Sequence, residues 1–546
     1  MTSHAAGRGA TLALGAALVT FALGLVWSAW LADDAFITFR CMDNFVHGRG
    51  LVWNVDERVQ AFTNPLWLFL LAGPYALTGS LYPIAIGAGV LVTAVAVALV
   101  VRSASSRWTA AVCVLALAGS KAFLEYSTSG LENPLLHVAV LLAAGAYLAP
   151  IDQERRAVGV AAATTLAFLT RPDALLFTGI LCVAVWLERP TLRALGRMAL
   201  AWLPAFAWEA FSVAYFGTFV PNTAIAKLSG ELPRAEMIDQ GLLYLANSLR
   251  WDPLTLTTVA VALLTFAPRP GRWRRRESLV MIAVALHLAY VVSVGGDFMS
   301  GRFLTTSFAV SVFLLARLRV DPRVLGAAAA MAVVLGVATE RSPWRPRPGP
   351  MAFLEALDPA GITDERAIYY AFTGLVSEGH PTWGRMVDGD PYPPAEYARA
   401  QLAEGERVQI HGQVGMLGHF AGPGVHVLDV MGLGDPLLAR MPLRSAEGEW
   451  LFASKLNRFG RYWRIGHLRR PAPPGYRESL AADENLVRDD ALARYYGAIR
   501  ALTRDPMWSR SRWRTLWDFQ RGRYDDDLDA WRRAHAEAVE RRAAGD

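Results

Sequence analysis

Residues 11–31, TLALGAALVTFALGLVWSAWL, form an apolar run without one charged side chain, and blocks of similar character recur as far as residue 340. A hydrocarbon core about 30 Å thick needs roughly 17 to 25 helical residues per crossing, so a chain built from such blocks is confined to the bilayer. With 53% hydrophobic residues over 546 positions, the apolar content is too high and too blocky for amphipathic helices of a soluble fold. We therefore expect a polytopic α-helical membrane protein. The first block is read as a retained span, because Gly7-Arg8 is only a weak basic start and no small-residue cleavage site precedes Asp33.

Taking helices at 11–31, 82–101, 108–120, 133–150, 157–170, 174–187, 198–216, 254–268, 278–295, 302–318 and 324–340 gives about eleven transmembrane crossings. The loops then alternate. One set carries Arg102 and Arg107; Arg155 and Arg156; Arg189, Arg193 and Arg197; Arg269, Arg272, Arg274, Arg275 and Arg276; and Arg317, Arg319 and Arg323. The positive-inside rule makes these cytoplasmic. The opposite loops hold DDAFITFR, KAFLEYSTSGLEN, TRPDA, VPNTAIAKL and VGGDFMSGR, so the polar clusters gather on the extracytoplasmic face of the cell membrane. Counting residues 65–79 as a crossing would invert every later loop, and they are read as an interfacial or re-entrant helix.

The net charge of +6 follows from those loop arginines and does not indicate nucleic acid. Three cysteines occur: Cys41 near the membrane surface, and Cys113 and Cys182 inside apolar blocks, with no metal-ligand spacing among them. Beyond residue 340 the composition turns to Pro, Gly, Arg, Trp and acids. This divides the chain into a transmembrane catalytic domain, 1–340, and an extracytoplasmic C-terminal mixed α/β domain, 341–546. RVQIHGQVGMLGHFAGPGVHVLDVMGLGDP reads as short strands and turn glycines, and ADENLVRDDALARYYGAIRALTR as a helix. GQVGMLG lacks the GxGxxG spacing of a dinucleotide loop.

Charged groups near hydrocarbon are retained mainly for pairing or function. Moving a sugar from a polyprenyl phosphate to a hydroxyl requires a carboxylate for the proton, cations for the departing phosphate and an apolar groove for the lipid. Asp33 and Asp34, directly behind the first block, are the base candidates; their mutual repulsion would favour proton uptake by one of them. The bland reading is a helix N-cap for AFITFRCMDNFVHG. Arg171, Lys227 and Arg302 are the phosphate candidates. Arg40 and Asp43, three apart, suit either an exposed ion pair or a substrate contact. Arg171 with Asp173, and Asp297 with Arg302, suit either a site or structural salt bridges. His47 and Asn54 read first as turn residues. Asp33, Asp34 and a further acid could offer oxygens to a divalent cation, and no ligand spacing argues for one.

The ordered set DDAFITFRCMDNFVHGRGLVWNVDERVQAFTNPLW, TRPD, VPNTAIAKL, GGDFMSGRF, DVMGLGDPLLAR, RIGHLRRPAPPGY and ALARYYGAIRALTRDPMW resembles the AftB-like terminal arabinofuranosyltransferases of the actinobacterial cell wall, a branch of the GT-C glycosyltransferases. The resemblance implies a donor, decaprenyl-phosphoryl arabinofuranose, and a polysaccharide acceptor, the ends of an arabinan, at the outer face of the membrane. It puts catalysis on Asp33, with Asp34 supporting substrate or metal. The substrate-binding candidates are Arg40, His47, Asn64, Arg171, Asp173, Asn222, Lys227, Asp297 and Arg302. The C-terminal domain would help hold the acceptor glycan. Gln60-Ala61-Phe62 before TNP and Cys41 depart from the pattern of that branch. The enzymatic alternative is another polyprenyl-phosphate sugar, such as mannose. A transporter would place its polar residues near the bilayer midplane, often within inverted repeats.

Overall fold

The computed structural model describes residues 2–229, 232–268, 276–345, 353–377, 402, 405–412, 414–443 and 468–543. The loop arginines at 269, 272, 274 and 275 and the first four residues of RIGHLRRPAPPGY lie outside them. Helices dominate. Gly7–Ser28, Leu81–Ser103 and Arg276–Ser293 are long and apolar enough to cross a membrane. Leu192–Ala201 and Leu203–Phe216, bent by 56°, would make a fourth span if taken together. The break falls where Pro204 lacks an N–H and its ring would clash with the carbonyl four residues earlier. Shorter apolar helices run over Pro65–Thr78, Arg107–Gly119, Asn133–Leu148, Pro172–Leu187, Pro253–Thr265, Leu304–Ala316 and Pro322–Val337.

One helix has no counterpart among the apolar blocks. Arg234–Trp251 is amphipathic and buries Gln240, Gly241, Tyr244, Asn247, Ser248 and Trp251 on one side. Its charged opposite side hides it from a reading based on continuous hydropathy.

The chain divides into two compact units, each discontinuous in sequence. The first comprises Met1–Ala32, Ser80–Ala205 and Arg234–Met386. Its core is made of Leu, Val, Ala and Phe side chains such as Val114, Leu117, Val140, Leu181, Val280, Phe308 and Leu314, each at most about 1% exposed. Small residues, among them Ala139, Ala143, Ala144, Ala157 and Ala161, let these helices approach closely.

The second unit comprises Asp33–Gly79, Phe206–Pro233 and Val387–Asp546. Strands Val408–His411 and His426–Asp429 pair in parallel, with Val408 opposite His426 and His411 opposite Asp429. A parallel pair needs a crossover of a dozen or so residues, and residues 412–425, including the short helix Met416–Phe420, supply it. Val408 and Leu428 pack with Leu437, Leu438, Tyr476, Leu492, Tyr496 and Ile499. The helix Asp490–Arg504 is started by Asp489, whose carboxylate accepts the Leu492 N–H.

Candidate active site

Asp33 belongs to the second unit and is buried, at 9% exposure. Its carboxylate accepts the main-chain N–H of Met416 at 2.9 Å, a partner 383 residues away in sequence. The approach is tight: a Cβ on Gly415 would stand 2.5 Å from the Asp33 carboxyl carbon. Asp34 occupies the N-cap position of the helix Ala35–Val46, but its side chain makes no capping hydrogen bond. The helix start is served instead by main-chain carbonyls, Asp33 to Phe36 N–H and Asp34 to Ile37 N–H. The Asp34 side chain is therefore not the cap of this helix, whereas Asp33 accepts the first N–H of the helix Met416–Phe420.

Seven residues further on, Arg40 turns inward. It donates to the carbonyls of Trp53 at 2.7 Å, Val425 at 2.8 Å and Gly418, and to Asn54 Oδ1 at 3.3 Å. Its guanidinium lies 4.8 Å from the Trp53 ring centroid. Burial lowers its pKa to about 10, which leaves it charged at neutral pH. The exposed ion pair with Asp43 is not what forms. Asp43 instead accepts from the Tyr75 hydroxyl at 2.6 Å and from Arg49 at 3.1 Å, with His47 3.1 Å away. Arg40 thus fixes the segment 418–425 against the loop that follows the helix Ala35–Val46.

Two readings of this neighbourhood need correction. The glycines of GQVGMLG are close-approach residues more than turn residues: Gly415 accommodates Asp33, and Gly418 accommodates Trp53, whose ring a Cβ would meet at 2.9 Å. Gly434, in DVMGLGDP, meets the same ring at 2.6 Å. Asn54 is a buried hub, not simply a turn residue. It accepts the Val427 N–H and donates to the Val427 carbonyl, both at 3.1 Å, so that it pairs with strand His426–Asp429 as another strand would. Trp53 is fully buried between these two glycine-rich segments.

The remaining candidates of this unit have assigned neighbours. Asn64, buried, precedes the helix Pro65–Thr78 and accepts from the Thr38 hydroxyl at 3.2 Å. Asn222 donates to three carbonyls of one loop, Gly432 at 2.9 Å, Leu433 at 3.1 Å and Asp435 at 3.0 Å. Lys227 and His47 are exposed. Asp435 accepts from Tyr476 at 2.8 Å and from the N–H groups of Leu437 and Leu438. Burial, with Glu57 nearby, pushes its pKa up to about 7. His426 contacts Asp56 at 2.8 Å. Burial opposes its charged form, but Glu57 and Asp56 outweigh that effect and raise its pKa. His419, beside Phe36 and Phe420, is held neutral by burial, with a pKa of about 4.

The first unit holds the other four candidates. Arg171 donates to Asp173 at 2.6 and 3.0 Å and to Glu132 at 3.2 Å. Arg302 stands 3.2 Å from Asp297. Both guanidinium groups lie over Phe303, 4.8 and 5.3 Å from its centroid. A narrow cleft of about 20 Å³, with Asn133, His287 and Thr306 in its walls, opens beside them. Each arginine already carries a carboxylate, so an anionic ligand here would have to share or displace one. Among the described residues, no group of three or more His, Cys, Asp or Glu side chains is gathered as a metal site.

The chain is 28% identical over 324 residues to the terminal β-(1→2)-arabinofuranosyltransferase of Corynebacterium glutamicum, covering 52% of this chain and 47% of that one. It is 26% identical over 341 residues to the protein of the same name from Mycobacterium tuberculosis, covering 54% and 53%. The chain spans about half the length of these curated relatives. No family model matches it, and no solved structure does. The similarity supports the resemblance carried by the ordered motifs.

Proposed function

We propose that this chain is a membrane arabinofuranosyltransferase of GT-C type, with about eleven crossings when Gln153–Thr170 and the shorter apolar helices other than the interfacial Pro65–Thr78 are counted as spans. The observation that carries the proposal is Asp33, a buried carboxylate a few residues beyond the first apolar helix and oriented by the Met416 N–H. Similarity to two terminal β-(1→2)-arabinofuranosyltransferases supplies the sugar. The donor is then decaprenyl-phosphoryl arabinofuranose, entering from the outer leaflet, and the acceptor is an arabinan end on the extracytoplasmic side.

In the reaction an acceptor hydroxyl oxygen bonds to C1 of the arabinose while the bond from C1 to the phosphate oxygen breaks. The hydroxyl proton passes to Asp33, and the polyprenyl phosphate leaves with the bonding pair. Lys227, in the same unit as Asp33, is a cation assigned to that leaving charge. Asp34 supports the substrate or a divalent cation. A β-linked product from a β-linked donor amounts to net retention, which calls for a second group besides one base. The anomeric configuration of the product by NMR decides between the two routes.

The test is purified enzyme offered a panel of labelled polyprenyl-phosphate sugars, with and without a chelator. Transfer of arabinofuranose is the expected result. Transfer of mannose with none of arabinose would overturn the donor assignment and keep the reaction class.

A further inference from the structure

Near the C-terminus three tryptophans lie open on or just before the helix Arg510–Gln520: Trp508 is 76% exposed, Trp513 38% and Trp517 65%. Residues 513 and 517 are helix neighbours four apart. Arg510, Arg514 and Arg521 are exposed as well. At 3.6 residues per turn these five positions share an arc of about 100°, while the buried Arg512 and Leu516 face the other way. Trp508 stacks on Trp513 with centroids 6.1 Å apart, and the Arg521 guanidinium lies 5.7 Å from the Trp517 ring. Asp518, the acid within this helix, is paired with Arg523 at 3.2 Å. The outward face is therefore aromatic and cationic.

Its location within the second unit is set by two hydrogen bonds. Arg512, fully buried, donates to the Tyr215 carbonyl at 3.0 Å, and Gln520 donates to the Gly217 carbonyl at 2.8 Å. These carbonyls lie at the C-terminal end of the apolar helix Leu203–Phe216, where main-chain oxygens lack intrahelical partners. Phe206 and Phe211 are exposed on that helix, and Phe219 and Val220 just after it. A helix end of this composition lies at the headgroup level of a bilayer, the depth at which indoles concentrate and guanidinium groups meet phosphates. A neutral glycan would use the indole faces but gives no reason for three arginines beside them.

We propose that the face formed by Trp508, Trp513 and Trp517 with Arg510, Arg514 and Arg521 lies in the headgroup layer and binds anionic phospholipid. The inference is independent of the transferase reading and rests on the juxtaposition of this face with the end of an apolar helix. The test is hydrogen–deuterium exchange of residues 506–523 in the full-length protein, in detergent, in phosphatidylcholine nanodiscs and in nanodiscs that also contain phosphatidylglycerol. Exchange is expected to slow several-fold in the phosphatidylglycerol nanodiscs relative to the other two. A Trp513→Ala/Trp517→Ala variant is expected to lose the effect while exchange at Asp490–Arg504 is unchanged. Arg510→Gln/Arg514→Gln/Arg521→Gln, which keeps every indole, is expected to erase the difference between the two nanodiscs. Equal exchange in all three media would overturn the proposal. Slowing by a soluble oligosaccharide in detergent, with none from lipid, would overturn it in favour of a glycan platform.

Discussion

Buried cations are handled differently in the two units. In the first, Lys121 sits 2.5 Å from Glu125 and 3.4 Å from Asp364, Arg366 stands 3.3 Å from Glu125, and Arg171 and Arg302 each hold a carboxylate. In the second, Arg40, Arg470 and Arg512 bond main-chain carbonyls: Arg470 reaches Met431 and Ala226, and Arg512 reaches Leu502 and Tyr215. Arg504, shared by Asp56, Glu57 and Asp483, is the exception. An apolar helix bundle provides few exposed main-chain acceptors, so a charge there has to be neutralised by a side chain. An irregular loop region offers carbonyls freely, and a guanidinium with five donors can tie several segments together. The first unit balances charge, whereas the second uses charge as a fastener.

The largest effect should separate a carboxylate that balances charge from the one assigned to chemistry. Asp33→Asn is expected to lower transfer by roughly 10²–10⁴-fold with the melting temperature and donor-lipid binding retained. Asp297→Asn is expected to act on stability first. Full transfer by Asp33→Asn, assayed with labelled donor, would remove the assigned base.

Next come the cations themselves. Arg302→Met leaves Asp297 buried without its partner and should cost about 3–5 kcal/mol, most of it recovered when Asp297→Asn is added. Arg40→Met strands carbonyls at about 1–3 kcal/mol each, and no carboxylate replacement should restore it. Urea or thermal unfolding of the four variants measures this, and rescue of Arg40→Met by Asp43→Asn would break the comparison. Gly415→Ala forces a methyl group against the Asp33 carboxyl and is expected to cost about 1–3 kcal/mol with a loss of transfer larger than the stability change explains.

A smaller effect is the pH dependence contributed by Asp435 and His426 of the second unit. Asp435 has a folded pKa raised to about 7, so between the unfolded carboxylate value and about 7 the folded state binds the extra proton and stability falls as pH rises. His426, also raised, contributes stability below its unfolded value that is lost as pH passes its folded pKa. Both have the same sign, and His419, whose lowered pKa favours the folded state at higher pH, has the opposite one, so the comparison with Asp435→Asn isolates the carboxylate: from pH 5 to pH 8 the melting temperature of the parent should fall relative to that of the variant. A parent that gains on the variant as pH rises would contradict the assignment.

Much of the first unit was legible because hydropathy acts residue by residue and needs no knowledge of partners. The blocks at 108–120, 133–150 and 324–340 recur as helices Arg107–Gly119, Asn133–Leu148 and Pro322–Val337. Arg234–Trp251 was not legible, since its polar face interrupts the run. In the second unit Asp33 stood out as an acid at the edge of an apolar block. The fastening role of Arg40 did not, because its acceptors are main-chain carbonyls, which every residue has and no sequence advertises. Gly415 and Gly418 were readable only as glycines; what they make room for comes from residues 33 and 53. Their meaning lies in a pairing of distant segments, and local pattern carries no trace of it.

The 383-residue separation between Asp33 and Met416 also fixes an order of events in time. Synthesis at roughly 5–20 residues per second places Met416 in the nascent chain about 20–80 s after Asp33. Throughout that interval the first span can already be inserted while the carboxylate has yet to meet its donor. A chain terminated upstream of the strand pair would therefore hold an inserted first span whose Asp33 carboxylate lacks its Met416 contact.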